Sequence, residues 1–154
     1  MKLRDLMVRE IMTISPGETT ASAAQRMRKE NVGCLIVTMD DGVTGILTDR
    51  DLLACLAQAH DPDRCTVAVH MTRSVVSGGP DEEVLKAAET MAEKRIKRLP
   101  IVEQEKLVGL VSFSDIADLV HDQWQDLWWK FVPVTRLIRA QKVHRRGSGR
   151  RTSD

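Results

Sequence analysis

The 154-residue chain has no tyrosine, two phenylalanines and three tryptophans. With aromatics at 3%, any core has to be built from Val, Ile, Leu, Ala and the seven methionines. Cysteine is scarce as well. Cys34, Cys55 and Cys65 show no C-x-x-C spacing, which points to free thiols in a reducing compartment and argues against a disulfide scaffold or a cysteine-based zinc site. No apolar run approaches the ~18 residues that a membrane span requires. The opening MKLRDLMVRE is charged throughout and lacks an apolar signal segment, so the expected location is the cytoplasm. The signatures H-E-x-x-H, G-x-S-x-G and G-x-x-x-x-G-K-[ST] are all absent. The four histidines, His60, His70, His121 and His144, fall at no ligand spacing and read as exposed polar residues. The expectation is a protein with no catalytic residues and no metal site, and so not an enzyme.

What is present is a packable composition, 42% hydrophobic and 29% charged, with a net charge of +1. That small charge conceals an asymmetry. Residues 1–129 hold 15 Lys/Arg against 21 Asp/Glu, whereas residues 130–154 hold eight basic residues against Asp154 alone. An acidic body is a poor general polyanion binder, so nucleic acid is expected as a partner only through the basic tail.

The chain also repeats itself. Displaced by 64 residues, Met7–Asp51 aligns without a gap on Met71–Asp115, with ten of 45 positions identical. The identities include Met7/Met71, Pro16/Pro80, Ala23/Ala87, Met27/Met91, Gly45/Gly109 and Asp51/Asp115. Each copy opens on a short extended stretch, Ile11–Ser15 or more weakly Val75–Ser77, ending near a proline. A helix is expected next, over Thr19–Glu30 and Glu82–Lys94, because the apolar residues recur at helical spacing. Two short apolar runs follow in each copy, Cys34–Met39 with Val43–Leu47 and Leu99–Val102 with Leu107–Val111. Short polar connections make them hairpins. A second helix closes each copy, over Asp49–Ala59 and Ser114–His121.

The expected fold is therefore α+β: two units of strand–helix–strand–strand–helix, related by a pseudo-twofold axis and packed sheet to sheet. A unit of about 60 residues buries only a marginal core by itself. The expected division is residues 1–60 for the first unit, 61–121 for the linker and second unit, and 122–154 for a C-terminal extension. There Trp124, Leu127, Trp128 and Phe131 lie along one helical stripe ahead of the basic tail. Such a stripe suits a protein partner or an oligomer contact.

The informative motif joins hairpin to closing helix. It reads Gly45-Ile46-Leu47-Thr48-Asp49-Arg50-Asp51 in one copy and Gly109-Leu110-Val111-Ser112-Phe113-Ser114-Asp115 in the other. Thr48-x-x-Asp51 and Ser112-x-x-Asp115 both have the form of a capping box. A hydroxyl at a helix N-terminus also suits a phosphate, and a carboxylate one turn on can accept both hydrogen bonds of a vicinal diol.

The doubled unit and this signature resemble a tandem pair of cystathionine β-synthase (CBS) domains, the Bateman module. The resemblance covers about residues 3–121 and is carried by MTISPGETTASAAQRM, GILTDRDLL, KRLPIV and GLVSFSDI. It implies a module that binds adenosine-containing ligands such as AMP, ADP, ATP or S-adenosylmethionine between the units. Asp51 and Asp115 would hold ribose hydroxyls, with Thr48 and Ser112 near the ribose–phosphate end. The adenine would lie among Met7 and Val8 with Val32, Gly33 and Cys34, or among Met71 and Thr72 with Ile96. Lys97 and Arg98 stand where the family places cations over phosphates. The first copy has Gly33 and Cys34 there and offers Arg50 instead, so two unequal sites are expected.

Two functions fit these residues. One is a non-catalytic regulatory module, sensing an adenine nucleotide of the AMP, ADP or ATP class as a homodimer and requiring no cofactor. The other is a ligand-independent dimeric scaffold that docks a partner, nucleic acid or a membrane surface through its C-terminal helix and basic tail.

Overall fold

The computed structural model describes residues 1–123, with side chains through residue 119. The first unit contains β1 (Thr13–Ile14), α2 (Thr20–Glu30), β2 (Cys34–Met39), β3 (Gly42–Thr48) and α3 (Asp49–Ala57), preceded by a short α1 (Leu3–Leu6). The second contains α4 (Val67–His70), α5 (Val84–Lys94), β4 (Arg98–Glu103), β5 (Lys106–Ser112) and α6 (Phe113–Gln123). The fold is α+β as read from the sequence, with helix–strand–strand–helix in both halves and the opening strand in the first half alone among the described residues. The expected stripe through Trp124, Leu127, Trp128 and Phe131, and the basic tail, lie outside the described residues.

Both hairpins turn in the same way. Asp40 and Asp41 (φ 52° and 64°) close β2–β3, and Gln104 and Glu105 (φ 48° and 66°) close β4–β5. Two successive left-handed residues give the turn whose twist matches paired strands. The hairpins touch at their tips, where the Leu107 N–H donates to the Asp41 carbonyl at 3.1 Å. β1 runs parallel to β2, with Thr13 opposite Ile36. Its counterpart in the second unit shrinks to one parallel bridge, Gly78 to Ile101. The expected stretch Val75–Ser77 ends just short of that bridge and forms no strand.

Each helix has local reasons to start and stop. The Thr19 side chain accepts the Ser22 N–H at the head of α2. The next orphan donors, Thr20 and Ala21 N–H, go to the carbonyls of Cys65 and Pro62 at 2.9 and 3.0 Å, so the inter-unit linker itself caps α2. Asn31 and Arg95 take the left-handed conformation that ends α2 and α5.

The cores do not follow the division at residue 60. The first core gathers Ile14, Ala23, Met27, Leu35, Val37 and Leu47, but also Val67 and Met71 from beyond the linker. The second gathers Val84, Ala87, Ala88, Met91, Leu99, Ile101, Val111 and Ile116, together with Leu3 from the chain's start. The backbone shows the same exchange. Val8 and Leu110 trade two hydrogen bonds at 3.0 and 2.9 Å, and Thr72 and Ile46 trade two at 2.9 and 3.0 Å. Each unit's opening segment therefore completes the other unit.

Polar contacts reinforce the start of the chain. Lys2 lies 2.8 Å from Glu83 and Arg4 lies 2.6 Å from Asp81. The hydrogen bond from Lys2 holds the Glu83 carboxyl below its ordinary value and, in return, raises the Lys2 ammonium. The contribution of Glu83 is present at neutral pH and is lost as pH falls through its lowered folded-state value. These groups are exposed, so the buried side chain matters more. Leu3 is fully buried. Leu3→Ala is expected to cost about 2–4 kcal/mol in chemical denaturation, the usual range for truncating a core leucine. Hydrogen exchange should show β4 and β5 losing protection before β2 and β3. Earlier loss in β2 and β3 would contradict the exchange of segments.

Candidate functional site

Both signature motifs sit where the closing strand of a hairpin becomes a helix, and in both the carboxylate makes a cap. Asp51 Oδ2 accepts the Thr48 N–H at 2.7 Å and the Thr48 hydroxyl at 2.8 Å. Asp115 Oδ2 accepts the Ser112 N–H at 2.7 Å, while the Asp115 N–H donates to Ser112 Oγ at 3.2 Å. The capping box and a ligand role are compatible, because the cap uses only Oδ2. Oδ1 of each aspartate has no hydrogen-bond partner among the described residues and both side chains are half-buried. In the second copy the Ser112 hydroxyl turns to Ser114 Oγ at 2.7 Å.

The glycine that begins each motif has a steric cause. A Cβ on Gly45 would lie 2.7 Å from Met71 Sδ and 3.1 Å from the Thr72 carbonyl. A Cβ on Gly109 would meet Met7 in the same way. The repeated methionine and the repeated glycine are thus contact partners, each pair crossing from one unit to the other.

That crossing sets which strand each candidate adenine-pocket segment pairs with. Met7 and Val8 are laced to β5, beside Ser112, Asp115, Ile96, Lys97 and Arg98. Met71 and Thr72 are laced to β3, beside Thr48, Asp51 and the Val32–Cys34 segment. The sequence reading joined Met7 and Val8 to Val32–Cys34, and Met71 and Thr72 to Ile96. Periodicity assigns a segment to the unit it precedes, whereas the ladder carries each of these segments across to the other unit.

The cations of the two copies stand in different surroundings. Arg98 lies opposite Ser112 in the β4–β5 ladder, and the Lys97 carbonyl accepts the Phe113 N–H at 3.0 Å at the start of α6. Arg98 Nη1 donates to the Lys97 carbonyl at 3.1 Å. Among the described residues, no acidic side chain pairs with Lys97, Arg98 or Arg50. In the first copy a carboxylate stands in the equivalent place. Asp49 Oδ2 lies 3.5 Å from where a Cβ on Gly33 would sit, and the Asp49 N–H donates to the Gly33 carbonyl at 3.1 Å. A carboxylate therefore stands beside the start of α3, where two cations stand beside the start of α6.

Two open hollows lie elsewhere. One of about 530 Å³ is lined by Ile11, Thr13, Arg26 and Lys29, and one of about 270 Å³ by Thr20, Ala24, Leu52, Cys55 and Pro62. Neither is lined by a signature residue.

A further constellation went unseen in the sequence. Cys55, His60, Cys65 and His70 bring their ligand-type atoms within 4.8 Å of one another. The exclusion of a cysteine-based metal site rested on the missing C-x-x-C. The geometry removes that ground, and His60 and His70 are not independent surface residues. A usable signal was there, since four ligand-type residues recur at intervals of five across the linker. Burial first, and then the neighbouring Cys55, push the Cys65 thiol above its ordinary value.

Known proteins share this architecture. The family model described as "CBS domain" matches twice, at residues 3–58 and 67–122. CBS domain-containing protein YhcV of Bacillus subtilis is 39% identical over 116 residues, covering 75% of this chain and 82% of that one. The CBS domain pair of protein MJ0100, solved in complex with 5′-methylthioadenosine and S-adenosyl-L-methionine, superposes with a TM-score of 0.73. It is 26% identical, over 80% of this chain and 98% of that one. Hypoxic Response Protein I, solved with two coordinated zinc ions, superposes with a TM-score of 0.70 at 30% identity, over 77% and 98% of the two chains. No helix among the described residues is long and apolar enough to cross a membrane. With two interlaced units, each closing on its own capped signature motif, the chain belongs to the CBS-domain family as a tandem CBS pair.

Proposed function

We propose that this chain is a non-catalytic regulatory module that binds an adenosine-containing nucleotide of the AMP, ADP or ATP class between its CBS units. The observation that carries the reading is the division of labour within Asp51 and Asp115. One carboxylate oxygen closes the helix cap and the other is left to accept a vicinal diol. The α6 cleft adds what a phosphate needs: a helix N-terminus and two cations without acidic partners among the described residues. The adenosine-containing ligands in the MJ0100 complex support the same ligand class. Met7, Val8 and Ile96 line the adenine end of the Asp115 site, and Met71, Thr72, Val32, Gly33 and Cys34 that of the Asp51 site. The nucleotide acts as a ligand, and no cofactor is required.

The module works as a homodimer in the cytoplasm. α3 presents Leu53 and Leu56 at 65% and 60% exposure, an apolar face that a second copy would cover. Glutamate at both positions should convert the dimer to monomer in light scattering, and an unchanged mass would place the contact elsewhere. Trp124, Leu127, Trp128 and Phe131 are proposed as a protein-partner contact. The basic tail is the part that would meet nucleic acid. If no adenosine ligand stabilises the protein while the dimer persists, the scaffold function is the correct one.

Asp115→Asn separates cap from ligand, because the amide oxygen can still accept the Ser112 N–H while the second acceptor is lost. Calorimetry should show AMP affinity falling by about tenfold or more, in line with the ~1.5–3 kcal/mol of a charge-assisted hydrogen bond. Unchanged affinity would remove Asp115 from the site. Titration with ATP should resolve unequal sites, the tighter one weakened by Lys97→Ala with Arg98→Ala. Two equal, independent sites would contradict the assignment of cations to one cleft.

A further inference from the structure

The turn after α3, the linker and the end of α4 converge at one point. Cys55 sits in α3 and is buried, while His60 follows the helix just after Ala59, whose φ is 55°. Cys65 lies in the linker and His70 ends α4. His60 Nδ1 approaches His70 Nε2 at 3.1 Å, and Cys65 Sγ lies 3.7 Å from His60 Nδ1. All four ligand atoms lie within 4.8 Å of one another, a spacing slightly wider than the edges of a coordination tetrahedron. Zinc bonds of about 2.0–2.3 Å to nitrogen and sulfur would set ligand–ligand edges of roughly 3.3–3.8 Å. The quartet closes on an ion by movements of about an ångström or less, and three of its members are not buried and are free to make them.

We propose that Cys55, His60, Cys65 and His70 form a closed four-ligand site for a soft divalent cation of the zinc class. Two thiolates with two imidazoles select such an ion over magnesium or calcium, which take oxygen ligands. With no open position, the ion's role is structural. Binding releases the thiol protons of Cys55 and Cys65 to solvent, and the metal accepts the sulfur and imidazole lone pairs.

The surroundings support the ligands. Thr20, buried to 1% exposure, contacts Cys55 Sγ through its hydroxyl at 3.5 Å and donates to the Pro62 carbonyl at 3.1 Å. That one hydroxyl orients both a ligand and the linker that carries another. The linker is already held to α2 by the caps from Cys65 and Pro62. An ion here would therefore staple the end of α3 to the segment carrying Met71 and Thr72, the wall of the Asp51 cleft. The proposal does not depend on the nucleotide reading, and its test uses no nucleotide.

The experiment takes the full chain, purified under reducing conditions and stripped with a chelator, and titrates it with cobalt(II) and then zinc(II). One cobalt per chain is expected, with tetrahedral visible bands and a thiolate-to-metal charge-transfer band, both lost on adding one equivalent of zinc. Zinc should also raise the melting temperature. Cys65→Ser and His60→Ala change side chains outside the core, so they should keep the circular dichroism of the parent while weakening cobalt binding at least tenfold. Absence of tetrahedral bands would overturn the proposal. So would bands unchanged in the double variant, which would place the metal elsewhere.

Discussion

Two crossed contacts govern this structure: Met7 over Gly109 and Met71 over Gly45. Each glycine leaves the space that a methionine from the other half of the chain fills, and each methionine is anchored by a pair of backbone hydrogen bonds one residue further along. Leu3 is drawn into the second core and Val67 into the first. A half-chain cut at the linker would therefore lose part of both cores. That cooperativity explains how a protein with so few aromatic side chains completes two small aliphatic cores, each marginal at its size. It also fixes the two signature motifs, because the crossed segments run beside the strands that end at Thr48 and Ser112.

Much of this was legible in the sequence, for identifiable reasons. Helices α2 and α5 followed from the helical spacing of Ala23, Ala24 and Met27 and of their repeats. Ala23, Met27, Ala87, Ala88 and Met91 are buried, whereas Ala24 is exposed. The hairpins followed from apolar runs broken by short polar turns, and the closing helices from the capping signatures. What the sequence could not show was partnership. The spacing of Met7 says nothing about which sheet it joins, and α1 and α4 are single turns too short to carry a periodic signal. The weakness of Val75–Ser77 as a strand was visible, and only Gly78 forms a bridge there.

The candidate site shows the same division. Asp115, Ser112, Lys97 and Arg98 were found as residue types at fixed spacing, and the structure gathers them at the start of α6. The free Oδ1 beside a capping Oδ2 is a matter of geometry that no motif encodes. Asp49 is similar: in sequence it is a variable position inside the signature, yet in space its carboxylate lies in the neighbourhood of Gly33, where the second copy has Lys97. The Cys55–His60–Cys65–His70 quartet was hidden because helix, turn, linker and helix contribute one ligand each. Ligand motifs are recognisable in sequence mainly when two donors come from one tight turn.

The two CBS units form a frame that holds one half-used carboxylate at each of two helix starts, with Lys97 and Arg98 at the second. The most direct test is a crystal structure of the full chain grown with AMP. The account predicts the ribose hydroxyls on Asp115 Oδ1, the phosphate against Lys97 and Arg98, and the adenine beside Met7 and Val8. A nucleotide bound away from Asp115, or a cleft still empty at saturating AMP, would contradict it.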